Sequence, residues 1–382
     1  MAVALVNARV LTPQGLEPLT VRLKDGKILS VGTTAEAGDD IRDLGGRLLL
    51  PGFVDTQVNG GGGALFNDDP SVATIRTIGA AHRRFGTTGF LPTLISDELP
   101  VIRQAIAAVD AAIDEGVPGV LGIHIEGPFI SADRKGIHDA SKFRVLDDEA
   151  IDLLTSLRRG RTLVTLAPDA TTPDMIRRLA QAGVVVAAGH TDADYRTVRA
   201  ALDAGLSGFT HLFNAMSPLN SREPGVVGAA LEDAGSWCGL IIDGRHVHPA
   251  TLRIALRAKG TDKFMLVTDA MPSVGMKDKR FTIQGRAIDV VDGVCVDEKG
   301  TLAGSDLDMA SAVRNAMEMC RLDLATAVHM AGASPAAFLR LSDRIGAIQP
   351  GLCADLVVAD DRLEVLQTWI AGEPDRPLQA AA

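Results

Sequence analysis

Histidines and acids stand at the ends of apolar runs in this chain, and that placement is where its chemistry begins. Gly122-Ile-His-Ile-Glu126-Gly-Pro, Val184-Val-Val-Ala-Ala-Gly-His190-Thr and Gly208-Phe-Thr-His211-Leu-Phe-Asn-Ala-Met each close on a metal-binding group, and Phe264-Met-Leu-Val-Thr-Asp269-Ala-Met-Pro closes on a carboxylate. One carboxylate with two imidazoles suits a catalytic divalent metal that keeps a position open for water. Asp269 is then a spare acid or base beside it. Taken singly, each residue reads equally well as a hydrogen-bonded core group. Their recurrence at the same kind of position implies a single site, and the pattern implies a metal-dependent hydrolase.

The runs that carry these residues are short and apolar throughout, the mark of strands buried on both faces, and a parallel barrel gathers its catalytic groups at the C-terminal ends of such strands. Candidate strands lie near 52–58, 89–95, 119–126, 162–167, 184–190, 206–211, 237–242 and 264–269. Helical patterns alternate with them. Thr172-Pro173-Asp174-Met-Ile176-Arg-Arg-Leu179-Ala180 shows a capping Thr, Pro at the first helical position and apolar i, i+3 spacing before Gly183. The alternation predicts a (β/α)8 TIM barrel over residues 51–344. Residues 1–50 read as β structure, with Asp25-Gly26 as a hairpin turn, and residues 345–382 return to β text. The two ends are expected to form one small β-sandwich domain. A β insertion is expected near 279–304, from the turns Ile283-Gln-Gly285-Arg and Val291-Asp292-Gly293-Val.

Composition narrows the function classes. A net charge of −10 with no Lys/Arg cluster argues against nucleic acid or an anionic membrane as partner. No apolar run approaches a membrane span, and no basic leader precedes an apolar stretch. Cys238, Cys295, Cys320 and Cys353 have no metal or disulfide spacing and fit reduced thiols. A cytoplasmic protein is the expectation.

The assembled text resembles the amidohydrolase superfamily and, within it, the N-acetylglucosamine-6-phosphate deacetylase family. The shared blocks are Pro51-Gly-Phe-Val-Asp55-Thr-Gln57-Val-Asn59-Gly, Gly122-Ile-His-Ile-Glu126-Gly-Pro-Phe, Lys135-Gly136-Ile-His138, Gly189-His190-Thr191, Thr210-His211-Leu-Phe-Asn214-Ala215-Met216, Arg222-Glu-Pro-Gly225, Asp243-Gly-Arg-His246 and Val267-Thr-Asp269-Ala. The resemblance implies that Glu126, His190 and His211 hold one divalent metal, with Zn²⁺ expected and Fe²⁺, Mn²⁺ or Co²⁺ as alternatives. It implies Asp269 as the catalytic carboxylate and His138 as the group that helps polarise the acetamide carbonyl. The backbone amides of Asn214 and Ala215, together with His246, would bind the sugar phosphate. Arg222 would reach the phosphate in a neighbouring subunit, so a homodimer is implied.

One departure bears on the metal count. Many superfamily members carry His-x-His at the end of the first strand and hold a second metal there, whereas this chain has Gln57-Val-Asn59. Carboxamides are weak zinc ligands, so a single-metal site is expected. His124 reads as a core residue rather than a ligand, His248 as a helix cap and Asp55 as a structural acceptor. The expected reaction is hydrolysis of N-acetyl-D-glucosamine 6-phosphate to D-glucosamine 6-phosphate and acetate. The alternatives are another amidohydrolase, such as a deacetylase for the galactosamine epimer, and a non-catalytic sugar-phosphate binder.

Overall fold

The computed structural model describes residues 1–291 and 293–378. Its eight central strands, Phe53–Val58, Thr87–Ile95, Gly122–Glu126, Arg161–Leu166, Val185–Ala188, Gly208–Phe209, Trp237–Leu240 and Phe264–Leu266, pair in sequence order and all in parallel. The ends of this sheet meet. Asp269 N–H donates to the Gln57 carbonyl at 3.0 Å, and Val58 bridges Ala270 in parallel. The chain therefore folds as a (β/α)8 barrel. Nearly every strand residue is buried, as the uninterrupted apolar runs require of strands covered inside and out.

Asp55 reinforces the closure. Its wholly buried carboxylate accepts from Thr268 Oγ1 at 2.5 Å and from the Gln57 and Thr268 N–H groups at 3.2 and 3.3 Å. Burial pushes this carboxyl up to about 7, against the pull of those donors. The helices start where the caps lie. Thr172 accepts from Met175 N–H at the head of Pro173–Gln181, whose Ile176 and Leu179 face inward. His248 caps Pro249–Lys259 by accepting from Ala250 N–H at 3.1 Å.

Three barrel strands end earlier than their apolar text. The ladder stops at Ala188, Phe209 and Leu266, while the runs continue to His190, His211 and Asp269. Those three residues have φ of 49°, 30° and 52°, in the left-handed region that no strand pairing admits. The turn away from the ladder is what aims their side chains at the barrel axis.

Both chain ends join one eight-stranded sheet. Lys27–Gly32, Gly15–Lys24, Val3–Thr12, Leu48–Pro51, Leu356–Ala359, Val365–Ile370 and Glu373–Pro374 follow in that order, and Asp40–Asp43 pairs in parallel with Val3–Thr12. The Asp25-Gly26 turn has φ of 50° and 76°, as a two-residue hairpin demands. This β domain has its own core, including Leu5, Val21, Ile28, Leu49, Leu356 and Trp369. The insertion is an antiparallel sheet of Phe281–Ile283, Arg286–Val291, Val294–Val296 and Leu302–Ser305, and Asp292 of its expected turn lies outside the described residues. It packs on Leu65, Ile95, Ile137 and Met271 at the mouth of the barrel.

Candidate active site

Glu126 ends the third barrel strand, and His190, His211 and Asp269 follow the fifth, sixth and eighth within three residues. Their side chains converge. His211 Nε2 lies 3.0 Å from Glu126 Oε1 and 3.1 Å from His190 Nε2, and His190 Nε2 lies 3.3 Å from Glu126 Oε1. Ligand atoms on a tetrahedral zinc, with bonds of ~2.0–2.2 Å, stand about 3.3 Å apart. The triangle is thus the size of one face of such a shell, and all three residues are buried.

Hydrogen-bond partners decide which nitrogens are bare. His190 Nδ1 meets the Arg134 carbonyl at 2.9 Å, so its proton sits there and Nε2 carries a lone pair. His138 is the opposite case. Its Nδ1 accepts from Ser96 N–H at 3.3 Å and contacts Ser96 Oγ at 2.7 Å, which places the proton on Nε2. Glu126, His138 and His190 also offer donor atoms within 4.8 Å of one another. That looser trio is the poorer ligand set, because His138 Nε2–H is a donor. Burial, with the neighbouring His190 ring adding to it, holds His138 well below the ordinary histidine range, so its ring is neutral.

Burial works to raise the Glu126 carboxyl, but the adjoining His190 and His211 imidazoles outweigh it and hold the group well below the usual carboxylate range. Burial, with the Glu126 charge added, pushes Asp269 up to about 6. Gln57 Nε2 donates to both Glu126 oxygens at 3.2 and 3.1 Å and to Asp269 Oδ1 at 3.1 Å, and Asn59 Nδ2 donates to the same Oδ1 at 2.7 Å. The two carboxamides at the end of the first strand therefore act as donors that hold the acids. Read in the sequence only as poor ligands, they were missed in this role.

A cavity of about 360 Å³ opens over these groups, and Asn214, Ala215 and His246 line it with them. His246 Nδ1 bonds Asp243 Oδ2 at 2.6 Å. Asn214 N–H is already donated to the His211 carbonyl at 3.0 Å, whereas Ala215 N–H has no acceptor among the described residues. Of the pair expected to offer backbone amides, Ala215 has the open one. Arg222 is exposed and does not line this cavity. Sequence reasoning missed Arg134, which lines the cavity and pairs with Asp192 at 2.7 Å. It also missed Thr301, Leu302 and Gly304, which the insertion contributes. No spacing marks these, since they lie in irregular or hairpin segments. His124 has both ring nitrogens on hydroxyls, Thr93 Oγ1 at 3.1 Å and Thr165 Oγ1 at 2.8 Å, and sits beneath the site as a core residue.

The model of the Amidohydrolase family matches residues 48–377. The chain belongs to the amidohydrolase family. As an amidohydrolase it is a metal-dependent hydrolase. It is 45% identical to the N-acetylgalactosamine-6-phosphate deacetylase of Shewanella sp. (strain ANA-3), over 96% of this chain and 94% of that one. It is 35% identical to the N-acetylglucosamine-6-phosphate deacetylase of Haemophilus influenzae, over 98% and 99% of the two chains. Among solved structures, the N-acetylglucosamine-6-phosphate deacetylase of Pasteurella multocida superposes with a TM-score of 0.95 at 32% identity, covering 99% of this amidohydrolase and 100% of that chain.

Proposed function

We propose that this amidohydrolase cleaves the acetamide of N-acetyl-D-glucosamine 6-phosphate, giving D-glucosamine 6-phosphate and acetate. The observation that carries the reading is the convergence of Glu126, His190 and His211 within 3.3 Å, with Asp269 beside them in one cavity. A divalent ion held by those three residues, Zn²⁺ in our reading, supplies Lewis acidity and brings the pKa of water toward about 7. Asp269 takes a proton from the attacking water and returns it to the sugar amine as the C–N bond breaks. His138 donates Nε2–H to the carbonyl oxygen as it gains charge, an interaction typically worth ~2.7–4 kcal/mol.

The phosphate is anchored away from the reacting bond by Ala215 N–H and by His246, held by Asp243. Arg222 completes the anchor from the neighbouring subunit of a homodimer; its exposure, and its position outside its own cavity, support that role. Residues 51–344 form the catalytic unit, and 1–50 with 345–382 form the β domain; residues 379–382 lie outside the described residues. A cytoplasmic location is supported by four free cysteines. No helix among the described residues is long and apolar enough to cross a membrane.

A second reading has its own support, since the 45% identical relative acts on the galactosamine epimer by its name. Acetate release from both epimeric 6-phosphates, from N-acetylglucosamine and in the presence of a chelator tests both readings. Chelator-sensitive release that prefers the glucosamine phosphate is expected. Preference for the galactosamine epimer replaces the first reading by the second, and no release from any of them, with metal verified as bound, removes both.

A further inference from the structure

His190 has a backbone acceptor for its Nδ1 proton, but His211 does not: its Nδ1 is buried and meets no hydrogen-bond partner among the described residues. Its own carbonyl oxygen already accepts from Asn214 N–H at 3.0 Å and from Asn214 Nδ2 at 3.1 Å. What could fix the tautomer lies below, in a line of hydroxyls whose protons can be counted. Thr93 Oγ1 accepts from Val58 N–H at 2.9 Å and gives its one proton to the Leu91 carbonyl at 3.3 Å. With the Thr93 proton on that carbonyl, the 3.1 Å contact to His124 Nδ1 is made by Nδ1–H. His124, fully buried and bonded only to hydroxyls, is neutral, so its Nε2 is bare and accepts from Thr165 O–H at 2.8 Å. With that proton spent, the 2.7 Å contact between Thr165 and Thr210 is Thr210 donating.

Thr210 thus ends the line with only lone pairs to offer. Beside it is an internal cavity of about 10 Å³, lined by Thr210, His211, Gln57 and His124 among others. That is about the room one water needs, and such a water requires two to four polar partners. We propose that the relay Thr93–His124–Thr165–Thr210, through one buried water that accepts from His211 Nδ1–H and donates to Thr210 Oγ1, holds His211 in the tautomer whose Nε2 is bare. Thr210, Thr165 and His124 are then positioning residues for a ligand they do not touch directly. The opposite polarity would send a proton outward at Thr210 and leave His211 as an Nε2–H donor to Glu126, unable to ligate. The inference rests on the proposed role of His211 as a metal ligand.

The test compares wild type with Thr210→Val, Thr210→Ser and Thr165→Val. Zinc affinity is measured by chelator competition, and histidine tautomers are read from ¹⁵N–¹H spectra of histidine-labelled protein with and without zinc. Wild type is expected to show His211 protonated at Nδ1 and zinc on Nε2. Thr210→Val should bind zinc about 10–100-fold more weakly, the usual cost of losing an outer-shell partner, and Thr210→Ser should restore it. Thr165→Val, which leaves the Thr210 hydroxyl free to turn its proton into the cavity, should shift the same way and guards against a misfolded Thr210→Val. Unchanged affinity and spectra in Thr210→Val, or a Thr210→Ser as impaired as Thr210→Val, overturns the relay while leaving the metal site standing. Zinc uptake by wild type without His211 among its ligands overturns the ligand reading and the relay together.

Discussion

Gln57 and Asn59 decide which oxygen of Asp269 is free to work. Both donate to Oδ1, and among the described residues Oδ2 makes no hydrogen bond. One oxygen is held and the other is left to move a proton. Asp269→Asn should therefore keep metal and sugar phosphate binding while turnover falls by about 10²–10⁴-fold, the usual span for a general acid-base group; metal analysis, ligand titration and kcat on one preparation check this, and undiminished kcat takes Asp269 out of the reaction. Arg222 acts at the far end of the substrate. Arg222→Ala should raise KM for the phosphorylated sugar by about 10–100-fold, matching a charge-assisted hydrogen bond of ~1.5–3 kcal/mol, and should leave the unphosphorylated sugar unaffected. Equal losses on both sugars would remove the phosphate role.

At the scale of elements, the insertion is tied to the end of the eighth strand. Ser305 N–H donates to the Asp269 carbonyl at 2.9 Å, and Met271 N–H donates back to Ser305 at 2.9 Å. Gly304, at φ 68°, leaves no room for a side chain: a Cβ there would lie 2.5 Å from Met271 Cε and 2.7 Å from the Asp269 carbonyl oxygen. Gly304→Ala is expected to displace Asp269 and cut kcat at least tenfold while zinc content stays whole, an outcome read by kinetics beside metal analysis. The strands, the caps at Thr172 and His248 and the Asp25-Gly26 hairpin were legible because local chemistry and periodicity specify them. The convergence of Glu126, His190, His211 and Asp269 was legible too, since all four end apolar runs. The left-handed turns at His190, His211 and Asp269 were not, because nothing in those residue types demands positive φ. Arg134, Thr301 and the strand residues Leu302 and Gly304 come to the site through tertiary packing alone, which leaves no local signal.

At the scale of the whole molecule, the β domain is joined to the barrel around Asp355. Its backbone carbonyl accepts from Gly52 N–H at 2.9 Å, and its Oδ1 accepts from Ala371 N–H at 2.8 Å. Burial pushes this carboxyl up to about 6, with the Ala371 bond and the nearby Arg344 and Arg83 pulling the other way. In the unfolded chain an aspartate titrates near ~3.9. The native state therefore binds the extra proton between those values, so the contribution of Asp355 to stability falls as pH rises through that window and is lowest above it. Relative to Asp355→Asn, wild type should lose stability between pH values of about 4 and 6, seen as urea midpoints that diverge with pH; a constant difference would refute the shift. The same joint bears on synthesis. Leu48–Pro51 waits for Leu356–Ala359 as its antiparallel partner, about 300 residues later, which at ~5–20 residues per second is roughly 15–60 s of translation. Throughout that interval the nascent chain carries an apolar strand edge with no mate, and the stretch that shields it is made only after the whole barrel.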